Sequence, residues 1–311
     1  MAVMRAEARI ARTSRAMAGF VLFLAFAACP ATAQQLADPN VDVSVAKPAY
    51  AKGAGPLVLI DAAHHNFHTA DGRFKPFADL LRNDGFKVEE SKAAFTDPAL
   101  ARGKVMVIAN ALNEANVEKW ELPTPSAFTP PEIAALKKWV ENGGALLLAA
   151  DHMPCAGAAE ELGKAFGFGF VNGFAFHIPP KAGDFFTKEA GTLKDDAVTK
   201  GITAIESFTG SAFKVPQGAR PLMVFPAGYQ VLTPRVAWQF SPSTPQVDAQ
   251  GLAQGAVMNV GKGRIAVFGE AGMFSAQTGG QGADAAKFGF NAPEAPENKQ
   301  FILNVVHWLA G

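Results

Sequence analysis

Thr129-Pro-Pro-Glu-Ile-Ala-Ala-Leu-Lys-Lys-Trp-Val-Glu-Asn-Gly-Gly-Ala-Leu-Leu-Leu-Ala-Ala-Asp151-His152 holds a helix, a turn and a strand in one unbroken run. Thr129 followed three residues later by Glu132 is a capping box, and Pro130 and Pro131 occupy the first helical positions, where a missing N–H costs nothing. The helix over Ile133–Val140 is closed by Gly143-Gly144, and Ala145–Ala150 then reads as a buried strand that ends in Asp151 and His152. Working outward, the same pattern recurs. Pro56–Asp61 is an apolar strand, Phe74–Asp84 has helical spacing and is stopped by Gly85, and Phe86–Glu90 and Lys104–Ala109 are two further strands. On the other side come a helix through Ala158–Phe166, strands at Gly255–Val260 and Arg264–Gly269 around a Gly261-Lys-Gly263 turn, and a last helix, Lys299–Leu309. Its Phe301, Leu303, Val305, Val306 and Leu309 form a stripe. Helices alternating with continuous apolar strands predict an α/β fold with a mostly parallel sheet covered on both faces.

Two regions depart from this rhythm. Residues 34–55 have scattered small and polar residues with two prolines and read as an extended leader. Residues 167–263 are rich in glycine, phenylalanine and proline, and read as an insert of short strands and long loops within the 56–311 domain.

The first 33 residues carry Arg5, Arg9, Arg12 and Arg15 against the single acid Glu7, then the apolar run VLFLAFAA and a small-residue site before Gln34. A basic start, a short apolar core and a small-x-small site are the parts of a cleavable secretory signal, and the run is shorter than the roughly 20 residues a membrane helix needs. Export to the periplasm or beyond is the expectation, with no transmembrane segment in the mature chain. Lipidation at Cys29 is the rival, disfavoured because Pro30 follows the cysteine. Without residues 1–33 the chain has 24 basic against 27 acidic groups, and nothing resembling a basic patch, which argues against nucleic acid as a partner. Only Cys155 remains, so no intramolecular disulfide forms.

Three of the best strands end in an acid: Asp61, Asp151 and Glu270. Ligands of open parallel sheets bind beyond the carboxyl ends of the strands, so these acids, with His152, are the candidate catalytic groups. His64, His65 and His68 follow Asp61, and imidazole beside carboxylate is the donor set of a divalent metal such as zinc, although the spacing matches no strict metal motif. Asn66, His177 in a phenylalanine-rich segment, and Thr209 and Ser211 in a glycine-containing turn are candidate ligand contacts. Cys155 at a strand-to-helix turn would gain nucleophilicity from a helix N-terminus, but it lacks a Gly-x-Cys-x-Gly elbow. No phosphate-binding glycine loop, Gly-x-Ser-x-Gly elbow or kinase signature occurs.

The blocks LVLIDAAHHNFHT, FTPPEIAALKKWVENGGALLLAADHMP and GKGRIAVFGEAGMFSAQ, with the closing NKQFILNVVHWLAG, resemble the uncharacterised bacterial DUF4350-like set. That set is similar to the class I glutamine amidotransferase-like superfamily, with its ThuA-like and gliding-motility auxiliary branches. The resemblance covers most of residues 56–311 and implies a flavodoxin-like sheet. It implies little about activity: amidotransferases pair an elbow Cys with a His-x-Glu after a late strand, and no histidine stands two residues before Glu270. Three roles are therefore open: binding of a small ligand such as a sugar or cell-envelope fragment, metal-assisted hydrolysis by the Asp/His cluster, or a structural part in an envelope complex.

Overall fold

The computed structural model describes residues 35–181, 183–279 and 285–311. The segment expected to be a signal, 1–33, and the end of the Gln277–Asp284 loop lie outside them. No helix among the described residues is long and apolar enough to cross a membrane.

A nine-stranded sheet forms the centre. Five strands run parallel in the spatial order Lys87–Ser91, Leu57–Asp61, Val105–Ala109, Ala145–Ala149, Gly263–Phe268. In chain order this is 2-1-3-4-5, the flavodoxin-like arrangement, and the order reverses between Leu57–Asp61 and Val105–Ala109. Val105–Ala109 and Ala145–Ala149 are buried along their whole length, as strands covered on both faces must be. One face packs against the helices Lys75–Asn83 and Asn298–Ala310 through Phe77, Leu80, Leu81, Phe301 and Val305. The other packs against Pro130–Glu141 and Glu160–Ala165 through Leu136, Val140 and Leu162. The capping box at Thr129 forms as the sequence predicts. The expected single helix over Ala158–Phe166 is instead two short pieces, Cys155–Ala158 and Glu160–Ala165.

The insert does not hang off the sheet; four of its strands extend it. Ala253–Val260 pairs antiparallel with Gly263–Phe268, and Ala212–Lys214, Gly169–Val171 and Arg220–Val224 extend the same layer. Smaller antiparallel units, Phe174–His177 with Tyr229–Leu232 and Gln246–Asp248, and Asp184–Thr187 with Ala204–Ser207, stand beside it.

The leader is likewise docked. Leu36–Ala37 pairs with Ala276–Gly279, and Tyr50 N–H donates to Asp84 O. Gly85, at φ +93°, ends its helix at a point where a Cβ would sit 2.3 Å from the Tyr50 carbonyl, so the helix stop and the leader dock require the same missing side chain. His307 of the last helix hydrogen-bonds the buried Asp84 carboxylate and stacks on Phe86, which fits the structural role its position in a helix suggests.

Candidate functional site

The reversal of strand order sends the chain after Leu57–Asp61 and the chain after Val105–Ala109 to opposite faces, and the loops that follow them meet at the carboxyl edge of the sheet. The two loops are laced across it by Phe67 N–H to Asn110 O and Leu112 N–H to His64 O, both 2.9 Å. Asp61 is fully buried and its carboxylate accepts from His64 Nδ1 at 2.9 Å. His64 Nε2 lies 3.0 Å from Glu132 Oε1, and the imidazole packs against the stacked rings of Phe95 and Phe128, at 4.5 and 4.8 Å. Burial alone would pull His64 down, but the hydrogen bonds and charges of Asp61 and then Glu132 outweigh it and raise its pKa. Burial pushes Glu132 the other way, yet Thr129 and His64 hold it down at about 2. The trio is a saturated clamp: imidazolium between two carboxylates, with Glu132 still serving its own helix cap.

Asn110 is the hub of the second cluster. It takes the left-handed conformation at φ +51°, which asparagine tolerates better than most residues. Its Nδ2 donates to Asp151 Oδ2 at 2.7 Å and to His68 Nδ1 at 3.2 Å, while its Oδ1 accepts from Asp151 N–H at 2.9 Å. Asp151 Oδ1 also accepts from Ala271 N–H. Glu270 is buried, with Oε2 accepting from Met273 N–H at 2.7 Å. Burial raises both acids, and the charge of Asp151 raises Glu270 further. His68 is pulled down to about 3 by burial, then by Arg73, so it is neutral; its Nε2 is buried with no partner among the described residues.

His152 faces a wall of rings. Its Nδ1 donates to Met153 O at 2.8 Å, which leaves Nε2 as a lone-pair acceptor, and burial pulls its pKa down to about 4. Phe174 stacks on it at 4.3 Å, Trp238 meets it edge-on at 4.8 Å, and Trp120 lies at 6.0 Å. The wall continues from Trp120 to Phe67, capped by the Arg73 guanidinium, and from Trp238 to Phe240. Trp238 is 45% exposed and held at φ +66°, an uncommon backbone conformation for so large a residue.

The structure thus brings Asp151, His152, Glu270 and His68 to one edge and gives Asp61 and His64 a separate, closed arrangement. The three histidines expected to share a metal do not converge. His64 has both ring nitrogens occupied, His65 is exposed at φ +48°, and His68 is turned into the interior. Among the described residues no three His, Cys, Asp or Glu groups are placed to hold a metal. Asn66 braces the loop by accepting from His64 N–H, and Ser211 is buried with its hydroxyl donated to Ala150 O. His177 donates Nδ1 to Pro179 O and packs against Tyr229. Thr209 keeps φ +124°, costly for a β-branched residue. Cys155 is buried, and burial followed by the Asp151 charge pushes its thiol up, the reverse of an activated nucleophile. Glu132, Asn110, Trp120 and Trp238 were not among the sequence candidates. Asn110 alone had a visible signal, since it follows an apolar strand just as Asp61 and Asp151 do.

The chain is similar in fold to the solved mmIFT52 N-terminal domain, at TM-score 0.55 and 17% identity over 81% of this chain and 96% of that one. It is also similar to ThuA-like proteins from Bacteroides uniformis (TM-score 0.47, 15% identity, 84% of this chain and 93% of that one) and from Parabacteroides merdae (0.43, 12%, 82% and 90%). No family model matches the chain, so the DUF4350-like resemblance stays an expectation, and no curated protein sequence matches it.

Proposed function

We propose that this chain is an exported, amidotransferase-like domain that binds a neutral saccharide at the carboxyl edge of its sheet. The observation that carries the reading is the ring wall of Trp120, Phe174 and Trp238 around an imidazole whose Nε2 can only accept. Sugar rings present apolar C–H faces to aromatic rings and hydroxyl donors to acceptors; the part-exposed Trp238 and Trp120 supply the rings and His152 the acceptor, with Phe174 buried behind the imidazole. The buried, protonated Cys155 supports a role other than glutamine hydrolysis. The basic, apolar and small-residue pattern of residues 1–33 supports export.

Calorimetry and thermal melts with chitotriose, cellotriose and maltotriose test the reading. At least one sugar should bind and be recovered intact, and Trp238→Ala should weaken it about tenfold, within the range of a lost aromatic hot spot. No binding by any of them at millimolar concentration would sink it. A second reading, hydrolysis of the bound sugar, is favoured by the raised Asp151–Glu270 pair, because a buried acid that keeps its proton can donate it to a leaving oxygen. Release of reducing ends, abolished in Asp151→Asn, would replace binding by turnover.

A further inference from the structure

Behind the Asp151 cluster lies a second gathering of polar groups that the saccharide reading does not use. Asp184–Thr187 and Ala204–Ser207 form a two-stranded ribbon in which Asp184 pairs with Ser207 and Phe186 with Ile205. Alternation puts these four side chains on one face, and Phe186 and Ile205 are buried, so Asp184 and Ser207 are turned into the protein. The ribbon packs against the Gly272–Phe274 turn that follows Glu270, and Asp184 is near enough for its charge to act on Glu270. Gln254 closes the remaining side. A Cβ on Gly210 would sit 2.8 Å from Gln254 Nε2 and 3.0 Å from Glu270 Cβ, so the amide and the acid crowd the same glycine.

Ser207 Oγ and Gln254 Oε1, in residues 1% exposed, have no hydrogen-bond partner among the described residues. One Asp184 oxygen accepts from Tyr229 Oη at 2.7 Å, and the side chain is partly buried. A buried oxygen without a partner costs about 1–3 kcal/mol, so two or more in one place call for a common occupant. Carboxylate, hydroxyl and amide oxygens with no nitrogen or sulfur are the donor set of a hard cation, and a mixed neutral and charged set suits calcium better than magnesium.

We propose that Asp184, Ser207, Gln254 and Glu270 form a calcium-class cation site that ties the ribbon to the sheet behind the sugar-binding edge. The site is independent of the saccharide-binding reading: it needs no sugar, and its failure leaves that reading standing; calcium on Glu270 requires the ionised carboxylate and so excludes Glu270 as the proton donor of the hydrolytic reading. The test uses the full chain, stripped with EDTA and titrated with calcium, magnesium and zinc chlorides by calorimetry and thermal melting. Calcium should bind one per chain and raise Tm by several degrees, magnesium more weakly, and zinc without competing at the same site. Gln254→Met and Ser207→Ala each remove one oxygen at small steric cost. Both should melt at or slightly above the unsubstituted chain in EDTA and lose calcium affinity at least tenfold. Absence of calcium binding at millimolar concentration, or binding unchanged in both variants, would overturn the proposal. A rise in EDTA stability of the variants without any ion binding would assign the oxygens to buried water.

Discussion

At Asp61 a histidine sits between two carboxylates and each of its ring nitrogens is engaged; at Asp151, two strands and roughly 10 Å along the same sheet edge, two acids stand together with no cation between them. Both places are built from Asp, Glu and His at strand ends. In the first, one imidazole engages both carboxylates and two phenylalanine rings pack against it, so the groups are consumed by the fold. In the second, His152 keeps a lone pair, Asp151 and Glu270 keep their protons more readily, and Trp238 is partly exposed. Residue type announces a polar cluster; saturation decides whether it holds the protein together or remains available to something else.

The comparison breaks most sharply at His64. His64→Ala leaves Asp61 buried without its partner and should cost about 3–5 kcal/mol in urea or guanidinium unfolding, while leaving sugar affinity per folded molecule unchanged. Asp61→Leu combined with His64→Leu should recover most of that loss, because the uncompensated charge is then gone. The pH dependence of the clamp follows from its two shifts. His64 is raised, so its contribution is complete below the ordinary imidazole range and is lost as pH rises through the raised value. Glu132 is held at about 2, so its contribution is complete above the ordinary carboxylate range and is lost as pH falls toward 2. The stability gap between wild type and His64→Ala should therefore be widest near pH 5 to 6, roughly the interval between the ordinary carboxylate and imidazole values, and narrow toward either extreme without closing at high pH, where neutral His64 still donates to Asp61.

Asn110→Gly keeps the left-handed backbone but removes the side chain shared by Asp151 and His68, and should cost about 1–3 kcal/mol by the same unfolding measurement. It should also disturb sugar binding, which His64→Ala should not. Ser211→Ala, which removes the buried tie to Ala150, should cost about 1 kcal/mol and nothing in affinity. Trp238→Ala removes a ring that is more than half buried against His152 and Phe174, and should cost about 1 kcal/mol in unfolding with its larger effect in affinity.

The parallel layers were legible because each strand there is a continuous apolar run bounded by glycine and a capped helix; Thr129 to His152 carries the whole unit in sequence order. The antiparallel extension was not, because strands as short as Ala212–Lys214 show no period and Arg220–Val224 contains a proline. The strand-end rule found Asp61, Asp151 and Glu270, and it passed over Asn110 because asparagine does not titrate. His64 could be seen, but its partner could not: Glu132 lies 68 residues on and already had a reading as a helix cap. Trp120 and Trp238 belong to loops, where only the folded chain brings rings together. The same limit hid Asp184, which pairs with Ser207 across a ribbon that the sequence marks with nothing.

Cys155 lies in a four-residue helix directly after the His152 turn, 2% exposed and with its thiol protonated. A thiol-specific dye can reach it only when that segment opens. Its labelling rate is therefore a clock for how often the floor of the ring wall breathes, and slowing of that clock by a sugar would report occupancy without any change to the wall itself.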